Sequence, residues 1–152
     1  MDGSIWTLRT LSDNLAWKSI AWNGSLFAVI AGGSGGNSNH SSTSPDGISW
    51  TTRTMPTTAG WISIVWGSSL FVALSNSSYT ATSPDGISWT LRTLPVSANW
   101  YSIAWGGSLF VAIASGPSTY AVTSSNGINW TLRTLPASLN WESVVWGGSA
   151  NN

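Results

Sequence analysis

The sequence predicts an all-β fold, a β-propeller of four-stranded antiparallel blades, and three observations carry that expectation. The first is tryptophan. Twelve Trp residues fall into three columns of four: Trp6, Trp50, Trp89 and Trp130; Trp17, Trp61, Trp100 and Trp141; Trp22, Trp66, Trp105 and Trp146. In every copy the first column precedes the second by 11 residues, and the second precedes the third by 5. Successive copies are offset by 44, 39 and 41 residues, close to the ~40-residue period of a four-stranded blade. The second observation is that apolar residues alternate or run in short β-branched and aromatic stretches, with no helical period. The third is turn chemistry, which recurs twice per period at fixed places.

The elements follow in order and are clearest in the third copy. Residues 100–105, WYSIAW, form strand A and residues 108–114, SLFVAIA, strand B, joined by Gly106-Gly107, a pair that accepts the positive φ of a tight hairpin. Residues 119–124, TYAVTS, form strand C and residues 128–133, INWTLR, strand D. Their link is Ser125-Asn126-Gly127, where the other copies have Pro45-Asp46-Gly47 and Pro84-Asp85-Gly86. In the second copy's strand D, residues 87–92, Ile87, Trp89 and Leu91 share one face while Ser88, Thr90 and Arg92 share the other, the pattern of a half-exposed outer strand. Strand B is apolar on both faces and so belongs deep in the sheet. The chain therefore reads as D, three times ABCD, then A: three whole blades, a lone D strand around Trp6 and a lone A strand around Trp141 and Trp146. We treat residues 1–152 as one domain with repeats at about 1–47, 48–86, 87–127 and 128–152, the last incomplete.

Composition narrows the function. With 42% hydrophobic residues the chain can bury a core, while charged residues make up only 7%, five basic against five acidic. Neither a nucleic-acid groove nor an anionic membrane surface matches that charge. Cysteine is absent, which removes disulfides and thiolate metal sites and fits either redox compartment. The N-terminal residues lack a basic start and apolar run, and no apolar stretch reaches the ~18 residues of a membrane span, so a soluble chain is expected.

The phrase SPDGISWTTRTMP at 44–56 returns as SPDGISWTLRTLP at 83–95 and SSNGINWTLRTLP at 124–136. It resembles the Asp-box repeat of sialidase-like propellers, Ser-x-Asp-x-Gly-x-x-Trp, with one residue fewer between Asp and Trp. It is more similar to bacterial and phage-associated propeller repeats written SPDGxxWTxR followed by WxSIAWGxxLFVA, and that likeness covers almost the whole chain. The resemblance implies a radial array of blades in surface- or tail-associated proteins, hence an extracellular or virion setting, with no single shared activity. It also implies that Asp46 and Asp85 tie their own turns, a task Asn126 can share.

An enzyme is not expected. A glycosidase needs two positioned carboxyl groups, but Asp2, Asp46 and Asp85 belong to the repeated turn, and only Asp13 and Glu142 lie outside it. His40 is the single histidine and has no second histidine or cysteine with which to hold a metal or build a triad. Gly32-Gly33-Ser34-Gly35-Gly36 lacks the Lys and helix of a phosphate loop and reads as a flexible tip. It lies in the B-to-C link AGGSGGNSNHSS, which lengthens the first period. No metal and no cofactor are expected.

The candidate site is a rim. Propeller links fall on two ends, D-to-A and B-to-C on one, A-B and C-D turns on the other. Arg9, Arg53, Arg92 and Arg133 stand near the end of D, and Trp17, Trp61, Trp100 and Trp141 where A begins. His40, Tyr79 and Tyr120 each stand six residues before Asp46, Asp85 or Asn126, at the start of C. An indole, a guanidinium and a ring with a polar edge in each blade suit a sugar, whose apolar face stacks on indole while planar donors take its hydroxyls. A packing role competes for the second Trp column, since a propeller solves packing once and copies it. The first and third Trp columns are assigned to the core.

Two functions follow from different classes. One is a non-catalytic, lectin-like binding module; the other is a structural scaffold, or an engineered or fragment propeller, without a ligand of its own. Partnership with a second copy is expected in either case. Three blades fall short of the ~4 to 8 of a closed ring, and open ends expose strand edges and apolar faces. A head-to-tail homodimer of about six to eight blades is the expectation, and a trimer the lesser alternative.

Overall fold

The computed structural model describes residues 7–32 and 37–148. Among them there is no helix. Twelve strands form three antiparallel four-stranded sheets, each laid out in chain order. The first blade is β1 (Trp17–Trp22), β2 (Phe27–Ala31), β3 (Ser38–Ser44) and β4 (Thr51–Ala59). The second is β5 (Trp61–Gly67), β6 (Leu70–Ser75), β7 (Tyr79–Ser83) and β8 (Thr90–Thr93). The third is β9 (Trp100–Trp105), β10 (Phe110–Ala114), β11 (Ser118–Ser124) and β12 (Thr131–Leu139).

The turns set these boundaries. Between β5 and β6, Gly67 pairs with Leu70, and the two loop residues Ser68 and Ser69 have φ of 49° and 62°. Two positive φ values give the turn whose twist matches its flanking strands. At the C-D turns, Gly47, Gly86 and Gly127 have φ of 73°, 72° and 70°. Here one expectation is corrected: strand D does not begin at Ile87 but at Thr90. The side chain of Asp85 accepts the amide N–H groups of Ile87 and Ser88, both at 2.8 Å. Those amides are spent on the turn and cannot pair with β7, so Trp89 stands at the rim before the strand. The same holds for Trp50 and Trp130, which precede β4 and β12.

The core lies between blades. Ala28, Ile30 and Met55 of the first blade meet Trp61, Ile64, Phe71, Ala73 and Ala81 of the second. Val72, Leu74 and Leu94 of the second meet Trp100, Ile103, Phe110, Ala112, Ala114 and Val122 of the third. The B strands feed both clusters, as expected, and Phe71, Val72, Ala73 and Leu74 are wholly enclosed. Each B strand carries at or next to its start a Phe flanked by two indoles. Phe27 lies 4.2 Å from Trp22 and 6.4 Å from Trp50 between ring centres; the distances at Phe71 and Phe110 are 4.7 and 6.4 Å, and 4.4 and 6.3 Å. Tilted aromatic trios of this kind give Trp50, Trp89 and Trp130 and Trp22, Trp66 and Trp105 a packing role, whereas Trp146, expected in the core, is 61% exposed because no Phe of a following strand B stands beside it.

Among the described residues no lone strand forms at either end; the core of the leading one, around Trp6, lies outside them. Residues 7–11 and 141–148 pair with no ladder, because the strands that would lie beside them in a blade are not supplied. Trp6 lies outside the described residues, as do Gly33 to Gly36 of the first B-to-C link. The trailing segment nevertheless docks where an inner strand would. The Val144 N–H donates to Ser102 Oγ at 3.2 Å, repeating the bond from the Ile64 N–H to Ser19 Oγ, also 3.2 Å, that joins the second blade to the first.

Candidate functional site

The second Trp column is built into the scaffold. Trp17, Trp61, Trp100 and Trp141 each donate the indole N–H to the carbonyl four residues earlier: Asp13 at 3.1 Å, Thr57 at 3.3 Å, Val96 at 3.3 Å and Ala137 at 3.4 Å. This bond pins the D-to-A link against the inner strand. Trp61 and Trp100 are 0% exposed. The expectation that they offer a stacking platform is therefore corrected: each ring is enclosed in the cluster between two blades. Trp17 and Trp141 stay half-buried because each stands at an end of the array.

Arginine is held at the outer strands. Arg53, Arg92 and Arg133 donate Nε to the Thr43, Thr82 and Thr123 hydroxyls at 3.1, 3.3 and 3.1 Å. One bond at Nε fixes the guanidinium plane and leaves its two Nη groups for other partners. Arg9, ahead of the first sheet, is exposed.

His40, Tyr79 and Tyr120 occupy one register position, as expected, paired with Thr54, Thr93 and Thr134. The next pairs inward are Ser41 with Arg53, Thr80 with Arg92 and Ala121 with Arg133. Successive residues of a strand point to opposite faces, so the ring and the arginine of one blade look away from each other. Arg53 shares its face with Met55, Tyr79 shares its face with Ala81, and both of those residues belong to the first inter-blade cluster. Arg92 with Leu94 and Tyr120 with Val122 stand in the same way to the second. The arginine of one blade and the ring of the next thus face the same inter-blade cleft. His40 faces the leading segment, with Nδ1 3.9 Å from Asp13 Oδ2, and that carboxylate accepts a bond from Thr52 Oγ1 at 3.0 Å.

Two open grooves give the arginines a further companion. One, of about 530 Å³, is lined by Arg92, Leu94 and Pro95 on one side and by Ile128, Asn129 and Trp130 on the other. A second, of about 380 Å³, has Arg9, Leu11, Trp17, Ile20, Val29 and Trp50 among its walls. In both, an arginine of one repeat and the first-column tryptophan of the next line the same groove. Sequence reasoning gave that column to the core alone. The available signal was the Asx turn: a Trp four residues after Asp or Asn follows amides already bonded to that side chain, so it belongs at a rim. Trp50 and Trp89 donate to Gly47 and Gly86 carbonyls at 3.2 Å, while the Trp130 N–H has no acceptor.

The C-D turn itself is structural. Asp46 Oδ1 accepts the amides of Ile48 at 2.8 Å and Ser49 at 2.9 Å, and Ser44 Oγ donates to it at 3.0 Å. Asn126 reproduces the arrangement with Ile128 and Asn129, both at 2.9 Å. The amides of Ser49 and Ile48 hold the Asp46 carboxyl below its ordinary value, and those of Ser88 and Ile87 do the same for Asp85. Neither group is positioned for acid or base work. Among the described residues no three His, Asp or Glu side chains gather as a metal site would need, and no helix is long and apolar enough to cross a membrane.

No protein-family model and no curated protein matches the chain by sequence. Solved structures do match in fold. A streptogramin B lyase structure superposes with a TM-score of 0.69 at 12% identity, over 86% of this chain and 44% of that one. The computationally designed Ika4 protein gives 0.64 at 9% identity, over 91% and 84%. YCF48 bound to D1 peptide gives 0.61 at 15% identity, over 85% and 42%. The chain thus spans less than half the length of two of these structures. At such identities the likeness carries the fold, a partial propeller, and nothing of their activities.

Proposed function

We propose that this chain is a non-catalytic binding module that takes carbohydrate in the grooves between blades, where an arginine of one repeat meets a first-column tryptophan of the next. The observation that carries the reading is the groove lined by Arg92 and Trp130. Its chemistry is that of a sugar subsite. An indole face accepts the apolar face of a pyranose, and the planar guanidinium, fixed at Nε by Thr82, directs its remaining donors at ring hydroxyls. A side chain already held loses less freedom on binding. The groove with Arg9 and Trp50 repeats the pairing, so one chain offers at least two weak subsites that a branched or polymeric glycan can span together. The surface- or virion-associated setting implied by the repeat motif suits such a multivalent binder.

A second reading has its own observation. Every second-column tryptophan, and three of the four arginines, already bond within the fold, as a scaffold without a ligand would require. A glycan array printed at high protein density, read for the chain and for Trp130→Ala and Arg92→Met, separates the two. Glycan signals lost in both variants support the binding module. A blank array assigns the chain to the scaffold class.

A further inference from the structure

The two ends of the array are unequal to its middle in a specific way. Ile20, Ile64 and Ile103 hold the same place on the inner strands β1, β5 and β9. Ile64 and Ile103 are 5% and 6% exposed because a preceding blade covers them, whereas Ile20 is 53% exposed. Trp22 beside it is also exposed, and the groove lined by Leu11, Trp17, Ile20 and Val29 is the space that Ala28, Ile30 and Met55 fill one blade further on. At the other end Val145 and Trp146 are 81% and 61% exposed. Val145 is the counterpart of Ala21, which packs against the second blade from the first.

The geometry points to a second copy of this chain as the occupant of both ends, joined head to tail. The argument is the chain's own precedent. Twice within one molecule the trailing face of a blade packs on the leading face of the next, by the same residues in the same register. The trailing segment is already docked on the third blade through Val144 and Ser102, so its outer face is set where a following blade would meet it. In the assembly, Val145 of one copy packs toward Ile20 on the leading face of the other, as Ala21 packs against the cluster that holds Ile64. A contact between unlike ends is heterologous, and two copies satisfy all four ends only when the ring closes. The partner thereby completes a site as well as a ring. Ile20, which its trailing segment meets, lines the groove that holds Arg9 and Trp50. The inference is separable from the carbohydrate reading at the groove of Arg92 and Trp130, which neither end of the array lines.

Light scattering coupled to size exclusion, applied to the full chain and to two charge variants, tests it. Ile20→Lys spoils only the leading end and Val145→Lys only the trailing end; both residues are exposed, and a β-type circular dichroism spectrum verifies that each variant folds. The chain is expected at about 32 kDa, twice its 16.0 kDa, and each variant alone at 16.0 kDa. Mixed together, the variants are expected to recover about 32 kDa through their one remaining good pair of ends. A stable, non-aggregating unmodified chain of 16.0 kDa overturns the inference. So does a dimer that persists in Val145→Lys alone, since that requires like ends to meet. If the monomer instead takes up a synthetic peptide of residues 106–127, a B-C hairpin, the open end belongs to a strand-donating partner and the second copy is excluded.

Discussion

Trp105 lies directly over Gly67, so close that a Cβ on that glycine would collide with the indole. Gly67 closes β5, and Trp105 ends the inner strand of the next blade, so the absence of a side chain sets how near two blades approach at the A-B turn. One period later Trp146 lies over Gly106 in the same way, with a built Cβ at 3.0 Å from its ring.

The two glycines should therefore respond differently to alanine. Gly67→Ala meets a ring wedged between two blades and is expected to cost about 1–3 kcal/mol, the usual penalty of overpacking. Gly106→Ala meets an exposed ring on a segment outside any sheet, which can move aside, and is expected to stay within about 0.5 kcal/mol. Urea unfolding of both variants reads the difference, and equal losses would remove the distinction between an internal and a terminal contact.

The tryptophan columns should separate by assay. Trp61→Ala empties a fully enclosed site and deletes the bond to the Thr57 carbonyl, so a loss of about 3–5 kcal/mol is expected. Trp130→Ala removes a half-exposed ring at a groove wall and should leave a folded protein with less glycan binding. Thermal unfolding followed by array binding checks both, and a folded Trp61→Ala protein of unchanged midpoint would contradict the packing role.

Acid should act through the C-D turns. The folded-state carboxyls of Asp46 and Asp85 lie below the ordinary value of 3.8 because backbone amides bond their charged form. Groups with a depressed folded pKa add stability above the unfolded value, and that stability is lost as pH falls through the folded one. The midpoint should thus decline below about pH 4. Asp46→Asn with Asp85→Asn should flatten that decline, since Asn126 already makes the same bonds without a proton to gain. Thermal midpoints between pH 2 and pH 7 decide it, and an identical acid limb in the double variant would rule the turns out as its source.

The β5–β6 turn is open to improvement. Ser68 and Ser69 both hold positive φ, which L-residues other than Asn and Gly adopt at a cost. Ser68→Asn with Ser69→Gly is expected to gain up to about 1 kcal/mol, because the pair suits this hairpin turn. A lower urea midpoint would mean that the turn is held by contacts other than its own backbone.

The sequence by itself determined the local elements. The spacing of Trp, the alternation of each strand and the turn residues Asp46, Asp85, Asn126 and their glycines specify hairpins through contacts a few residues apart; these hairpins formed, with strand D starting at Thr90 and not Ile87 and no strand over 141–148. The sequence also placed His40, Tyr79 and Tyr120 at one register position, since a fixed distance to the same turn fixes pairing along a hairpin. Only the tertiary structure decided what covers each side chain. Repeats of near-identical sequence give Trp61 and Trp100 no local mark that another blade encloses them, and burial is decided by that neighbour. Ile20 and Ile64 have the same neighbours along the chain and opposite exposure, because one has a blade in front of it and the other has none. Likewise Arg92 and Trp130, from two repeats, line one cleft, a placement set by how blades stack and not by any period within one strand.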